Sequence, residues 1–345
     1  SSCSPGLPGR GVFKVAQCNG KIKEDIEMKK LVMGLATAAL AATMFTGAVS
    51  AEELLPGGGS NILYVITPST SNPFFNTEQV IGSQIGEELG YEVKCFSHDD
   101  DAAKQLEYFE AAIAEGAAAI ICDNAGADAS VEAVQKAYDA GIPTFLIDRE
   151  INESGIAVAQ IVADNAQGAA AIAECWVEAM DYEGKYAELL GLESDTNCHV
   201  RSENYHSVID EYDTLEMVAQ QSANWDQTEA YEKTEAILQA NPEITGIICG
   251  NDTMACGATQ ACADAGRDDI KIIGLDGSDE AAAYIKDGKM VGTALQQIAK
   301  ITEMAVQQAD AYLKGTAPET EKQLVECVAI TADNVDKLSA FVYTE

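Results

Sequence analysis

The sequence is poor in basic and aromatic residues, and it lacks the glycine-rich motifs that bind phosphate groups. Its 345 residues contain 21 Lys and Arg against 56 Asp and Glu, so the net charge is −35. A surface this acidic repels the backbone of nucleic acids, and we expect no nucleic-acid partner. Neither a GxGxxG nor a P-loop motif occurs, so nucleotide binding is not supported and we expect no cofactor.

Metal sites and disulfides are poorly supported as well. The eight cysteines after residue 51 form no paired CxxC motifs and no zinc-ligand pattern. We interpret them as small buried apolar residues, although an exported chain could form disulfides. The run Asp99-Asp100-Asp101 beside His98 is one candidate metal site. Calcium needs more oxygen ligands at alternating positions, so we favour a solvated loop in which Asp101 caps a helix, and we expect no metal.

The N-terminal part of the chain has the pattern of an export signal. Met28-Lys29-Lys30 precedes a short apolar segment (31–45), and small residues lead to Ala51. This order is typical of a secretory signal peptide at 28–51, cleaved after Ala51, and it predicts a periplasmic protein. A membrane anchor is the alternative, but the apolar segment is short. Residues 1–27 have no place in such a signal, and our hypothesis is that they are a non-native upstream segment.

The rest of the chain alternates between short apolar runs and helical patterns, after a flexible linker at 52–60. Such alternation predicts parallel βαβ units, and the length suits two lobes. In the first half, strands are predicted at 62–67, 91–97, 117–123, 142–148 and 156–163, and helices at 74–89, 101–114 and 127–140. In the second half, strands are predicted at 186–191, 217–222, 244–249, 270–275, 291–295 and 324–330, and helices at 167–180, 199–210, 227–240, 253–265, 279–286 and 301–313.

The first strand is followed by a loop whose side chains suit a sugar. Asn72 offers hydrogen-bond donors and acceptors, and Phe74 and Phe75 offer flat apolar faces. A sugar carries hydroxyls on its edges and C–H groups on its faces. In an open α/β sheet, ligands bind at the carboxyl ends of strands, where this loop lies. An ordinary strand–helix turn with two core phenylalanines is the alternative.

Other strand ends carry polar or aromatic residues of the same kind. Each residue has a simpler explanation by itself, such as an ion pair, a core position or a helix cap. A series of such residues at successive strand ends is stronger evidence for a binding site than any one of them. The further candidate ligand-binding residues are Asp148, Arg149, Arg201, Trp225, Asn251, Asp276 and Gln296.

These motifs, as an ordered set, resemble a known family. They are similar to the motifs of type I, ribose-binding-like periplasmic sugar-binding proteins of bacterial ABC importers. The motifs that carry the resemblance are Asn72-Pro73-Phe74-Phe75, Ile147-Asp148-Arg149, Asp164-Asn165, Gly250-Asn251-Asp252, Gly274-Leu275-Asp276-Gly277, and Gly288-Lys289 followed by Gln296. The resemblance covers about residues 61–330.

The resemblance implies an α/β fold of two Rossmann-like lobes with parallel sheets, joined by a three-segment hinge. The N-terminal lobe would comprise 61–163 plus 297–328, and the C-terminal lobe 164–296 plus 329–345. A monosaccharide or polyol would bind in the cleft between them, with Phe75 and Trp225 on the two faces of the sugar. The expected partners are this ligand and the membrane permease of an ABC importer. A chemoreceptor is a further candidate partner, and we expect a monomer.

Departures from the ribose-binding pattern leave the ligand open. Trp225 replaces a Phe, and the stretches Asp195–Cys198 and Asp123-Asn124 differ. A different pentose, a hexose or a linear polyol such as erythritol fits as well. A carrier of a non-sugar signal molecule would use the same residues. A transcription-regulator domain is disfavoured by the signal peptide, and a hydrolase using Asp148 or Asp276 by the lack of a nucleophile motif, so we expect no enzyme activity.

Overall fold

The computed structural model describes residues 54–344. The predicted upstream segment (1–27), the signal peptide (28–51) and the first two residues of the predicted linker lie outside this range. Within residues 54–344, none of the helices is long and apolar enough to cross a membrane.

Helices and strands alternate as the apolar pattern predicts. The first series is β1 (Ile62–Thr67), α1 (Pro73–Glu88), β2 (Glu92–Ser97), α2 (Ala102–Ala114), β3 (Ala119–Cys122), α3 (Val131–Asp139), β4 (Thr144–Ile147) and β5 (Ala159–Ala163). The second is α4 (Asn165–Ala179), β6 (Gly184–Leu190), α5 (Thr196–Ile209), β7 (Leu215–Ser222), α6 (Gln227–Ala240), β8 (Ile244–Cys249), α7 (Asp252–Asp264), β9 (Lys271–Asp276), α8 (Asp279–Lys286) and β10 (Gly292–Leu295). The last is α9 (Ile298–Leu313), β11 (Lys322–Val325), β12 (Val328–Thr331), a 3-10 turn (Val335–Lys337), β13 (Leu338–Ser339) and β14 (Val342–Tyr343).

Within residues 54–344, twelve of the strands form two six-stranded sheets and β13 pairs with β14, which confirms the predicted α/β class. The first has the order β11-β5-β4-β3-β1-β2 and the second β12-β10-β9-β8-β6-β7. Neighbouring strands in them are parallel, except for the antiparallel pair β10–β12. We call the elements around each sheet the first and second lobe. The chain crosses between them after β5, after β10 and between β11 and β12, and α9 packs on β4, β5 and α1 of the first lobe. The residue limits of the lobes stay a prediction.

Helix N-termini place polar side chains at the carboxyl edge of each sheet. Asn72 caps α1, where its Oδ1 accepts a hydrogen bond from Phe74 N (3.0 Å), and Pro73 fills the first helical position. Asp101 caps α2 as predicted and accepts from Ala103 N at 2.8 Å. The carboxyl ends of parallel strands meet at one edge, so the loops that follow them gather there.

The prediction of one strand at 324–330 is wrong. This stretch forms β11 in the first sheet and β12 in the second, separated by the exposed Glu326 and by Cys327. Cys327 N donates to Gln167 Oε1 (2.9 Å), so its backbone bonds to a side chain rather than to a strand. A continuous apolar run does not reveal this change of sheet, because each half pairs with a strand of a different sheet.

The described part of the predicted flexible linker is fastened to the first lobe. Gly57 N donates to Gly141 O at 2.9 Å, and Gly58 N to Ala117 O at 2.8 Å. A Cβ atom on Gly58 would lie 2.3 Å from the carbonyl carbon of Gly116. The glycines therefore allow a close approach of two backbones here, whereas composition alone suggested flexibility.

Most of the described cysteines are core residues. The buried ones, whose thiols pack among apolar side chains, are Cys122, Cys198, Cys249, Cys256, Cys262 and Cys327. Cys95, on strand β2, is exposed. The reading of these residues as small buried apolar groups therefore holds for the six.

Candidate functional site

The ten candidate residues from both lobes surround one inner cavity. Its lining comprises Asn72, Phe74, Phe75, Asp148, Arg149, Asp195, Arg201, Trp225, Asn251, Asp276 and Gln296. The structure thus brings together every residue that the sequence predicts for ligand binding, and it adds Asp195. Their role in binding remains a prediction.

The first lobe contributes two aromatic rings and the guanidinium of Arg149 to the inner cavity. The rings of Phe74 and Phe75 are perpendicular, with centroids 5.6 Å apart. The guanidinium of Arg149 lies 5.1 Å from the centre of the Phe75 ring, within cation–π range. Phe75 therefore has an apolar face at the cavity and a fixed cation beside it.

Arg149 is buried among carboxylates. Its Nη1 donates to Asp100 Oδ1 (2.7 Å) and to the backbone oxygen of Asn124 (3.0 Å). Its Nε lies 3.0 Å from Asp195 Oδ2, in the second lobe, and 3.4 Å from Asp123 Oδ1. This single cation therefore offsets several buried negative charges and links the two lobes.

The second lobe holds Arg201 in a fixed position. Arg201 Nε donates to Asn165 Oδ1 (2.7 Å), and Nη1 donates to the backbone oxygen of Gly250 (3.0 Å). The same Nη1 lies 3.4 Å from Asp276 Oδ1, which also accepts from Gln296 Nε2 at 2.8 Å. The guanidinium is thus oriented before any ligand contacts it.

Trp225 provides the aromatic face of the second lobe. Its ring lies 5.3 Å from the Arg201 guanidinium carbon. A Cβ on Gly191 would lie 2.0 Å from the indole Cη2, and one on Gly250 would lie 2.8 Å from Cζ3. Two glycines therefore make the room that this large side chain needs.

Three residues that line the inner cavity have strained backbone conformations. Asp148, Trp225 and Asp276 have φ angles of +59°, +63° and +144°, a region that residues other than glycine seldom adopt. Such conformations cost about 1–3 kcal/mol each and persist where the surroundings enforce them, often at binding sites. They turn these three side chains into the cavity that they line.

Several buried polar atoms of the inner cavity lack a protein partner. Among the described residues, Asp148 Oδ1, Gln296 Oε1 and Trp225 Nε1 make no hydrogen bond. Leaving such groups unpaired costs about 1–3 kcal/mol each. The cavity therefore offers two acceptors and one donor to the hydroxyl groups of a bound molecule.

Burial governs the protonation of the carboxyl groups. Burial raises the pKa of Asp148 to about 6, although Arg201 and Arg149 oppose the shift. Burial also raises the pKa of Asp276 well above its ordinary value, again against the charge of Arg201. Near neutral pH, Asp148 is therefore a mostly ionised acceptor that takes up a proton under mildly acidic conditions.

Sequence reasoning missed an acidic pair behind the first-lobe side of the cavity. Glu78 and Asp123 are fully buried, and no carboxylate oxygen of either has a hydrogen-bond partner among residues 54–344. Burial is the main cause that raises the pKa of both, followed for Glu78 by the negative charge of Asp123. Glu78 lies four residues after Phe74 and three after Phe75, so helical spacing already placed it on the same inward face.

The same carboxyl groups satisfy the distance requirement of a metal site. Oxygen atoms of Glu78, Asp123 and Asp148 lie within 4.8 Å of one another. Arg149 lies 3.4 Å from Asp123 and 3.9 Å from Asp148, and it already supplies a positive charge there. The geometry therefore fits a proton shared between buried acids better than a cation. In the candidate metal loop, Asp101 caps α2 and Asp100 binds Arg149.

The two lobes are closed on the inner cavity. Asn197 Nδ2 donates to Asp148 O (3.0 Å), and Ala127 N donates to Ser194 O (3.1 Å), both across the cleft. The inner cavity measures about 10 Å³, room for about one water molecule. An outer cavity of about 280 Å³ adjoins it, and both are lined by Asn72, Phe74, Phe75, Trp225 and Asp276. A larger ligand therefore reaches the residues that line the inner cavity alone, such as Asp148 and Arg149, only when the lobes part.

Known proteins share this chain's sequence and fold. A D-apiose import binding protein of Actinobacillus succinogenes is 48% identical over 320 residues, covering 91% of this chain and 99% of that protein. One from Paraburkholderia graminis is 46% identical over 315 residues, with the same coverage. The myo-inositol binding protein of Caulobacter, solved with myo-inositol bound, superposes with a TM-score of 0.76 at 27% identity, covering 82% of this chain and 97% of that one. Residues 63–317 match the periplasmic binding protein domain family. The chain therefore belongs to that family, as a type I sugar-binding protein of an ABC importer.

Proposed function

We propose that the sugar captured by this protein is D-apiose, a branched five-carbon sugar, or a monosaccharide or polyol of similar size. Two relatives named for D-apiose import are nearly half identical over almost their whole length. The observation that carries the proposal is the inner cavity, in which polar and aromatic side chains of both lobes converge and buried polar atoms stay unpaired.

The cavity residues divide into two roles. Phe75 and Trp225 stack on the two C–H faces of the sugar, as aromatic rings do with flat apolar surfaces. The carboxylate, amide and guanidinium groups bind its hydroxyls. A stereoisomer that leaves one buried group unpaired loses about 1–3 kcal/mol, which is how the site discriminates between sugars. The hydroxyl-binding groups are Asn72, Asp148, Arg149, Arg201, Asn251, Asp276 and Gln296.

Binding proceeds by closure of the lobes. A sugar enters while the contacts of Asp148 O with Asn197 and of Arg149 with Asp195 are parted. It contacts both lobes only when these contacts form again, so it binds the closed state more tightly and shifts the equilibrium towards it. The ABC importer permease then receives the closed, loaded protein.

We also propose a wider setting for the protein. The protein acts in the periplasm after cleavage of the signal peptide (28–51), as a monomer, and a chemoreceptor is a candidate second partner. Family members are solute-binding proteins. We propose no catalytic role for Asp148 or Asp276, because each faces a fixed guanidinium and hydroxyl-binding neighbours rather than a nucleophile.

Calorimetric titration of residues 52–345 with D-apiose, D-ribose, D-allose, myo-inositol and erythritol tests this proposal. Micromolar or tighter binding of D-apiose, with weaker binding of the others, is the expected result. A thermal-shift scan supports it, since a micromolar ligand at millimolar concentration stabilises by about 4 kcal/mol. Tighter binding of another sugar would correct the ligand. If none of these sugars and polyols binds, sugar capture is refuted and a non-sugar signal molecule is favoured as the ligand.

A further inference from the structure

The C-terminal tail forms a hairpin that is fastened to the second lobe. In this hairpin (338–343), Leu338 pairs with Tyr343 and Ser339 with Val342. The backbone N–H of Ala340, at its tip, donates to Asp279 Oδ1 at the start of α8 (2.8 Å). Ahead of the hairpin, Asp336 forms an ion pair with Lys286 on the same helix. The hairpin therefore moves with the second lobe.

The tip of the hairpin contacts the first lobe. Phe341 is 5% exposed, and its ring meets that of Phe74 edge to face, with centroids 5.6 Å apart and planes at 86°. Phe341 also lines the outer cavity, together with Trp225 and Asp279 of the second lobe. One aromatic side chain thus spans the cleft mouth, between the lobe that carries it and the ring of Phe74 that lines the inner cavity.

The turn that presents Phe341 departs from its usual sequence. Ala340 and Phe341 have φ angles of +50° and +59°, the shape of a two-residue turn in which Asn and Gly are preferred. A bulky residue in this conformation is held there by its contacts. The contacts that hold it are the bond of Ala340 N to Asp279 and the ring packing on Phe74.

We propose that Phe341 belongs to the ligand site, where the hairpin closes the outer cavity over a bound sugar and slows its release. This inference rests on the proposed function. Because the hairpin belongs to the second lobe and Phe74 to the first, their contact forms only on closure. It therefore adds to the closed state a stabilisation that the inner residues do not supply.

The test compares Phe341→Ala, Phe341→Leu and a matched control, Val342→Ala, in the full mature chain. Val342 is the next residue of the hairpin, and its side chain is half exposed. With the sugar that binds the wild type, Phe341→Ala should weaken affinity about tenfold through faster dissociation, the size expected for an aromatic pair and its buried area. Phe341→Leu should recover part of the loss, and Val342→Ala should match the wild type. Stopped-flow release gives the rates.

A second measurement separates this inference from the proposed function. Small-angle scattering without sugar should show Phe341→Ala to be more open than the wild type. If the wild type binds a sugar, equal release rates for all variants overturn the inference and leave the proposed function intact. If the wild type binds none of the panel, the proposed function fails, and scattering decides: a more open Phe341→Ala retains the hairpin as a closing element, whereas identical profiles overturn it.

Discussion

The two sides of the cleft balance their charges differently. On the second-lobe side, Arg201 has three partners, and Asp276 is held by Arg201 and Gln296. On the first-lobe side, Arg149 faces four carboxyl groups, those of Asp100, Asp123, Asp148 and Asp195. Behind it, Glu78 and Asp123 have no hydrogen-bond partners within the described residues.

This difference separates a side whose cation has fixed partners from a side on which carboxyl groups outnumber the cation. A guanidinium with fixed partners presents one arrangement to the ligand, although burial also raises the pKa of its partner Asp276. Carboxyl groups that outnumber their cation share protons instead, and burial raises the pKa of Asp148 to about 6. We therefore expect substitutions on the first-lobe side to change charge and pH dependence, and those on the second-lobe side to change geometry.

Asp148→Ala should have the largest effect. It removes the buried acceptor Oδ1 and the negative charge that Asp148 presents to Arg201 and Arg149. Hydrogen bonds to charged groups contribute about 1.5–3 kcal/mol, so we expect sugar affinity to fall about 100-fold by calorimetry. Thermal stability should stay close to that of the wild type, because the substitution removes one negative charge from a crowded cluster of acids. Asp139→Asn, at an exposed acid of the same lobe, serves as control. Affinity within threefold of the wild type would show that the cleft is misassigned.

Gly191→Ala should break the second-lobe side sterically. The new methyl would overlap the indole of Trp225, only 2.0 Å away, and overpacking costs about 1–3 kcal/mol, or a ten- to hundredfold loss of affinity. The ring of Phe lacks the atoms that clash, so Trp225→Phe should rescue Gly191→Ala to within a few-fold of the Trp225→Phe single variant. A double-mutant cycle on binding measures this coupling. Additive losses would mean that Gly191 does not seat Trp225.

The sequence predicts the cavity residues that lie near strand ends on both sides of the cleft. A parallel sheet gathers the carboxyl ends of its strands at one edge, so the local pattern and the fold class were enough to predict the residues that follow them. In the second lobe these residues are Arg201, Trp225, Asn251 and Asp276. The alternation of elements was recovered for the same reason, since apolar periodicity is a local property.

Most of the missed features depend on contacts between distant parts of the chain. Glu78 looks like any polar helix residue until its inward face and Asp123 are placed together. Phe341 meets Phe74 across most of the chain length. The run at 324–330 pairs first with β5 and then with β10 of the other sheet, and its own residues do not indicate this change. Asp195 counted only as a departure from a family pattern, although it follows a strand like the others.

Asn251 combines a structural and a ligand-facing role, and two substitutions separate them. Its Oδ1 accepts from Met254 N at 2.9 Å and caps α7. Asn251→Ala loses the cap and the cavity amide, so we expect about 1 kcal/mol lower stability and about tenfold weaker binding. Asn251→Ser keeps a capping hydroxyl and should lose binding alone. Chemical unfolding and calorimetry on both variants make the comparison. Equal stability losses in the two would contradict a capping role.

Glu78→Gln should have the smallest effect, confined to the pH dependence of stability. A carboxyl group whose folded pKa is raised stabilises the fold below its ordinary pKa, and this contribution is lost as pH rises through the folded value. The groups facing Glu78 are Asp123, Asp148 and Arg149, and the nearby His98 stays neutral because burial lowers its pKa to about 4. Gln is uncharged throughout, so its stability relative to the wild type should increase as pH rises from 5 to 8, by about 1 kcal/mol or more. Glu88→Gln, at an exposed position of the same helix, should show no such trend. Urea unfolding at pH 5 and pH 8 measures the free energy of unfolding of both proteins. If the difference between wild type and Glu78→Gln is the same at the two pH values, Glu78 is ionised at pH 5. The first-lobe side then holds no shared proton.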